Sequence, residues 1–304
     1  MRVLVPDSPL RMEMGPMPDG VELVSEPAPD VEMMVLGPEL AQDVPAIFGQ
    51  LPGLRVVQSF SAGVDYLLPL IPPEVMLCSA AGVHDASVSE WVVAVILAMR
   101  RRLPEFGDLQ RREEWVRDLA EPAHFSNHPI DDLEDSTVLV LGFGSIGKAL
   151  AARLAPFGAR VVGVAQHARP DAVTPASLPR LLPEADVVVD LLPLTQETRK
   201  FVDAELFSQM KQGAIFVNAG RGGTVDTDAL LDVLRTGRIR AALDVTDPEP
   251  LPADHPLWKE PNVLITPHIA GTVAKWERRA YRFAGEQIRR YAAGEPLLGG
   301  QPRS

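Results

Sequence analysis

A chain of 304 residues, 46% hydrophobic and 23% charged, has the material for two globular domains and a large core. A formal net charge of −12 with no basic stripe argues against nucleic acid and anionic lipid as partners. The single cysteine, Cys78, excludes an internal disulfide framework and fits a reducing compartment.

The N-terminus, Met1-Arg2-Val3-Leu4-Val5-Pro6-Asp7, reads as a short strand entering a loop and not as a signal peptide. Further strands are expected at Val21–Val24, Met33–Leu36, Arg55–Ser59 and Val75–Ser79, punctuated by Pro and Gly. Cys78 belongs to the last of these and reads as a small apolar core residue. Met12, Met14 and Met17 read as gap-filling packing.

Ser87-Val88-Ser89-Glu90 has the spacing of a capping box and predicts a helix start. The run that follows, Trp91–Met99, is apolar on nearly every face and predicts a buried helix. It is too short to span a bilayer, so the expected location is cytoplasmic. Arg100, Arg101 and Arg102 are expected to return that helix to water. Residues 103–135 are charged and Pro-rich and read as a connector.

From Thr137 onward strands and helices alternate, which predicts a parallel, doubly wound sheet. The strands are placed at Thr137–Leu141, Arg160–Val164, Asp186–Leu191, Ala214–Asn218, Ala241–Asp244 and Val263–Thr266. Helices are placed at Ile146–Phe157, closed by Gly158, and Asp228–Arg235, closed by Gly237. A last helix, Ala274–Ala293, is expected to leave this sheet and rejoin the N-terminal domain.

Gly142-Phe143-Gly144-Ser145-Ile146-Gly147 sits between the strand Thr137–Leu141 and a helix, the context a dinucleotide-binding turn requires. Gly142 permits the tight turn. Gly144 lets the backbone approach a pyrophosphate, and Gly147 allows close helix–strand packing. The N–H groups of Ser145, Ile146 and Gly147 then face the phosphates. After the second strand an NAD-specific site carries an acid for the ribose 2′-hydroxyl. Here Ala165 stands in that place, followed by Gln166, His167 and Arg169. Uncharged donors and an arginine suit a 2′-phosphate, so NADP is expected in preference to NAD.

Three later segments place one useful group each on a loop after a strand. They are Asn218-Ala219-Gly220-Arg221-Gly222, Asp247-Pro248-Glu249-Pro250 and Thr266-Pro267-His268. An arginine binds a carboxylate bidentately. A histidine exchanges the proton of a hydroxyl near neutral pH, and a carboxylate beside it keeps the ring charged and oriented.

With the Gly-rich turn and Ser61-Ala62-Gly63-Val64-Asp65, this set resembles the D-isomer-specific 2-hydroxyacid dehydrogenase family over essentially the whole chain. The resemblance implies two Rossmann-like α/β domains. The substrate domain would be discontinuous (residues 1–98 and 274–304), with an NAD(P)-binding domain at 99–273. It implies hydride transfer between NAD(P)H and a small 2-oxo or 2-hydroxy acid, of the glyoxylate/hydroxypyruvate reductase kind. Arg221 would clamp the substrate, Glu249 would be the acid partner, and His268 the acid–base. Backbone N–H groups of Ala62 and Gly63 would hold the substrate carboxylate. Asp244 would contact the nicotinamide carboxamide, and Pro193 would line the cofactor cleft. No metal is implied, and His84, His128, His167 and His255 receive no catalytic role. A homodimer is implied, built on the helix after Ser87 and the connector to residue 130. Two departures stand out: the missing acid at Ala165 and the Gly222-Gly223-Thr224-Val225-Asp226 segment, a mild variant. The alternatives are formate or phosphite oxidation on the same fold, or a nucleotide-sensing scaffold or corepressor. Formate enzymes of the family pair the histidine with glutamine, and Glu249 argues against that case.

Overall fold

The computed structural model describes residues 1–37, 44–115 and 130–300 and divides the chain into two compact units. Unit 1 is Met1–His84 with Val273–Ser304, and unit 2 is Asp85–Thr272. Both are α/β layers on a parallel sheet, the fold class expected.

Unit 1 holds β1 (Arg2–Leu4), β2 (Glu22–Val24), β3 (Val31–Leu36), helix α1 (Val44–Phe48), β4 (Val56–Ser59) and β5 (Met76–Cys78). The strands pair in the order β2-β1-β3-β4-β5, all parallel. Residues in β3 and β4 are buried at nearly every position, as a sheet covered on both faces demands. Cys78 is buried, and burial pushes its thiol up to about 11, so it behaves as a small apolar residue. The methionines divide: Met14 is in the core and Met12 is exposed.

Unit 2 opens with α2 (Asp85–Arg100) and α3 (Leu103–Arg111). Its sheet strands are β6 (Thr137–Leu141), β7 (Arg160–Val164), β8 (Val187–Asp190), β9 (Ile215–Asn218), β10 (Arg240–Leu243) and β11 (Val263–Ile265). Helices α4 (Ser145–Leu154), α5 (Leu178–Leu181), α6 (Ala204–Gln209) and α7 (Thr227–Arg235) lie between them. The order is β11-β10-β9-β8-β6-β7, all parallel. β6 and β7 have the bounds expected from their apolar runs. The order reverses between β6 and β8, and a crevice at the carboxyl ends is the usual ligand site at such a point.

Helix α8 (Trp276–Ala292) belongs to unit 1. Its Ala280, Tyr281, Ala284 and Ile288 share a buried cluster with Val3, Val5 and Met33. Gly285 lets the Met14 backbone close in, since a Cβ there would lie 2.2 Å from the Met14 oxygen. Gln287, also buried, bonds the Gln58 side chain at 2.7 Å and the Leu298 carbonyl at 2.8 Å.

Three expectations are corrected. The unit boundary, expected after residue 98, falls between His84 and Asp85. The cause is packing: Val88, Val92, Val95, Ile96 and Met99 of α2 are buried with Val138, Val140, Leu150 and Leu154 of β6 and α4. Each such buried aliphatic side chain contributes about 1.5–3 kcal/mol, so α2 is committed to unit 2. Secondly, α2 begins at Asp85, so Ser87-Val88-Ser89-Glu90 is helix interior and not a cap. The Ser89 hydroxyl turns back to the carbonyls of Asp85 and Ala86 instead. Thirdly, Arg100 is buried, not solvated. It pairs with Asp131 at 2.7 Å and donates to the Ser136 hydroxyl at 2.7 Å. The expected connector is helical over α3, while its residues 116–129, His128 among them, lie outside the described residues. Among the described residues no helix is long and apolar enough to cross a membrane.

Candidate active site

The Gly-rich turn follows β6 directly. Gly142 adopts φ +84°, and a Cβ there would meet the Leu191 carbonyl oxygen at 2.6 Å, so this turn requires glycine. A Cβ on Gly144 would meet nothing within 4 Å, which leaves its backbone open to a ligand. At Gly147 a side chain would press on Phe143 at 3.0 Å and Val140 at 3.4 Å. Helix α4 starts at Ser145 with no side-chain cap, so its first N–H groups face the turn. The Ser145 hydroxyl bonds Asp85 at 2.9 Å, a contact the local sequence did not announce.

Beside the turn lies a cleft of about 410 Å³. Its walls come from the ends of three strands: Leu141–Gly144 after β6, Val164–Gln166 with Arg169 after β7, and Leu191–Pro193 with Thr195 and Thr198 after β8. Thr198 donates to the Pro193 carbonyl at 2.6 Å and accepts the Thr195 N–H at 2.8 Å, which fixes the loop carrying Pro193. Gln166 and Arg169 reach the cleft, whereas His167 is exposed and outside its walls. Arg169 donates through Nη2 to the Phe143 carbonyl at 2.5 Å, and its Nε is 3.5 Å from Asp171. The Lys148 ammonium bonds Asp171 at 2.9 Å and holds that carboxyl below its ordinary range. An apolar slot with an open glycine backbone and an uncapped helix N-terminus fits a dinucleotide.

Strand register carries the remaining groups to the same edge. Asp190 pairs with Asn218, Asn218 with Leu243, and Leu243 with Ile265. The loops after β9, β10 and β11 therefore leave the sheet side by side, with Arg221, Glu249 and His268. A Cβ on Gly222 would lie 1.9 Å from the Thr246 oxygen, so the Arg221 loop presses on the loop that bears Glu249. Arg221 is half-buried and donates to the Gly220 carbonyl at 2.8 Å.

His268 has φ +53°, a left-handed conformation uncommon outside glycine and frequent at functional positions. Its N–H bonds the Asp244 carbonyl at 2.8 Å. Its Nδ1 lies 2.6 Å from Glu249 Oε1. That contact orients the ring and leaves Nε2 for chemistry. Asp244 is buried and already holds three donors. Thr266 Oγ1 (2.5 Å) and the Ile269 N–H (2.9 Å) reach Oδ1, and the Ala270 N–H (2.9 Å) reaches Oδ2. Its observed work is to anchor the His268 loop, a role absent from the sequence reading. Ala62 and Gly63 stand in unit 1, in the turn after β4. Among the described residues their N–H groups have no hydrogen-bond acceptor.

A parallel sheet with a glycine-rich crevice at its switch point and a histidine–carboxylate pair along the same edge is the build of a nucleotide-dependent dehydrogenase. The sequence profile described as "D-isomer specific 2-hydroxyacid dehydrogenase, NAD binding domain" matches residues 93–270. The glyoxylate/hydroxypyruvate reductase B of Escherichia fergusonii is 37% identical over 262 residues, 83% of this chain and 78% of that protein. The NADPH-dependent glyoxylate/hydroxypyruvate reductase of Sinorhizobium meliloti, solved with NADP and sulfate, superposes with a TM-score of 0.81. It is 28% identical, and the match covers 99% of this chain and 97% of that one. A D-isomer specific 2-hydroxyacid dehydrogenase of Xanthobacter autotrophicus, solved with NADPH, gives 0.82 at 29% identity, covering 99% and 98%. This chain belongs to the D-isomer specific 2-hydroxyacid dehydrogenase family. It is an NAD(P)-dependent oxidoreductase that transfers a hydride between the nicotinamide and a small 2-oxo or 2-hydroxy acid.

Proposed function

We propose that this enzyme reduces glyoxylate and hydroxypyruvate with NADPH, the activity in the names of its Escherichia fergusonii and Sinorhizobium meliloti relatives. The observation that carries this reading is the 2.6 Å contact between Glu249 and His268 Nδ1. It presents Nε2 as a proton donor, which reduction of a carbonyl to a hydroxyl needs. Arg221 holds the substrate carboxylate through its planar fork. In unit 1, the backbone N–H groups of Ala62 and Gly63 are candidates for holding a substrate carboxylate. Gly142, Gly144 and Gly147, with the N–H groups of Ser145 and Ile146, receive the pyrophosphate. Pro193 borders the nicotinamide, and Asp244 accepts from its carboxamide with the lone pair left on Oδ2. When bound, the nicotinamide supplies the hydride. His268, as imidazolium, gives its Nε2 proton to the oxygen that becomes the hydroxyl, and Glu249 stabilises the charged ring until then. The product is the (R)-2-hydroxy acid, and the enzyme acts as a cytoplasmic homodimer.

Glu249→Gln tests the pairing. A neutral amide no longer compensates the charge of the ring at the 2.6 Å contact with Nδ1, so kcat for reduction should fall while NADPH affinity stays near the parent value. An unchanged kcat would show that the two residues act independently.

Preference for NADPH rests on Ala165, which neither binds a 2′-hydroxyl nor repels a 2′-phosphate, and on Arg169 and Gln166 in the cleft wall. His167 takes no part in this reading. Arg169→Ala should lower kcat/KM for NADPH about 10- to 100-fold more than for NADH, the worth of a charge-assisted hydrogen bond. Ala165→Asp should shift preference toward NADH. Kinetics with a panel of small 2-oxo acids, followed at the nicotinamide absorbance, check both parts. An unaltered enzyme that favours NADH overturns the cofactor assignment. One that binds nucleotide but turns over no 2-oxo acid overturns the reaction.

A further inference from the structure

Asp190 and Thr224 line no part of the cofactor cleft, yet they join the strand end behind it to the loop that carries Arg221. Asp190, the last residue of β8, is fully buried. Its Oδ1 accepts the Leu192 N–H at 2.9 Å, one residue before Pro193. Its Oδ2 lies 2.6 Å from the Thr224 hydroxyl, and Thr224 is fully buried as well. The same hydroxyl lies 2.6 Å from the carbonyl oxygen of Arg221. That carbonyl also accepts the Asn218 amide at 3.1 Å, and Asn218 Oδ1 accepts the Gly220 N–H at 3.0 Å.

Counting protons decides the direction of these bonds. Two oxygen–oxygen contacts of 2.6 Å meet at Thr224, and each repels unless a proton lies in it. A threonine hydroxyl carries one proton, and a carbonyl carries none. The Thr224 proton must therefore point at the Arg221 carbonyl, and the other contact needs a proton from Asp190. Burial raises the Asp190 carboxyl above its ordinary range, the direction this requires.

We propose that Asp190, in its protonated form, and Thr224 make a buried strut that positions the Arg221 loop for recognition of the substrate carboxylate. Both are positioning residues. The inference rests on Arg221 as the substrate clamp. An asparagine at 190 reproduces the pattern: its oxygen accepts from Leu192 and its amide donates to Thr224.

The test compares KM for glyoxylate with KM for NADPH in Asp190→Asn, Asp190→Leu, Thr224→Ser, Thr224→Val and, as a reference, Arg221→Lys. Thr224→Val should raise the glyoxylate KM about tenfold and leave the NADPH KM within about twofold, as expected when a buried hydrogen bond serves one ligand's site; Asp190→Leu should raise both, because Oδ1 also holds the Leu192 N–H in the cofactor-cleft wall. Asp190→Asn and Thr224→Ser should keep both constants near the parent values. A parental glyoxylate KM in Thr224→Val overturns the proposal. So does a parallel rise of both constants in Thr224→Val, the mark of a merely structural role. Should Thr224→Val and Asp190→Leu not fold, Asp190→Asn decides alone: parental constants support the strut, and a raised glyoxylate KM overturns it. If Arg221→Lys has no effect, it is the clamp assignment that falls. If Arg221→Lys impairs glyoxylate use and Thr224→Val does not, only the strut falls.

Discussion

Replacing His268 by alanine should lower kcat by about 10²–10⁴, the range for loss of a positioned general acid, and leave NADPH affinity nearly intact. The separation follows from where the ring is held. Its Nδ1 is engaged by Glu249, and its backbone N–H by the Asp244 carbonyl. None of the cleft-lining positions after β6, β7 and β8 belongs to the His268 loop. The deletion therefore removes a proton donor and no wall of the cleft. Fluorescence titration with NADPH, run beside steady-state kinetics, measures both quantities. Retention of more than about a tenth of kcat, outside the usual range for this effect, would remove His268 from proton transfer. A large loss of NADPH affinity would instead mean that the β11 loop shapes the nucleotide site.

Arg221→Lys should reduce kcat/KM for glyoxylate about 10- to 100-fold, the worth of a lost charge-assisted, two-point contact. Lysine keeps the charge, but its ammonium is a single point where the guanidinium is a planar fork. The loop is built to hold that fork in one place. Gly222 admits the Thr246 backbone, and the Arg221 carbonyl is tied to Asn218 and Thr224. A lysine on this rigid loop cannot recover the second contact by shifting the backbone. Substrates without a carboxylate, such as simple aldehydes, should lose much less. Equal losses for glyoxylate and for an aldehyde would show that Arg221 supports the fold of the loop and does not read the carboxylate.

The legible parts of the chain share a physical character. β6 has the bounds read from its apolar run because a parallel strand covered on both faces needs apolar side chains throughout, and β7, at the sheet edge, has the bounds read for it as well. The steric reasons read for Gly142 and Gly147 match their surroundings, since a Cβ there would press on the Leu191 carbonyl or on Phe143 and Val140. Local signals failed where a distant partner decided. Ser87-Val88-Ser89-Glu90 has the residues of a cap, yet the helix runs through it, because packing on α4 favours an earlier start. Arg100 looked solvated until Asp131, 31 residues on, came to meet it.

The sequence alone determined the layered α/β class and the Gly-rich turn after β6, and it singled out Arg221, Glu249 and His268 as candidates. These depend on hydrophobic periodicity, on glycine sterics and on short loop motifs, all of which are local in the chain. Only the tertiary structure decided which groups meet. It set Glu249 against the Nδ1 face of His268, bound Asp244 to three donors of the β11 loop, and turned Arg169 onto the Phe143 carbonyl while leaving His167 outside the cleft. It also brought Asp190 to Thr224 across 34 residues of chain. Hydrogen bonds are satisfied by whatever neighbour the sheet register supplies, and that register is fixed by burial of the whole core and not by any one motif.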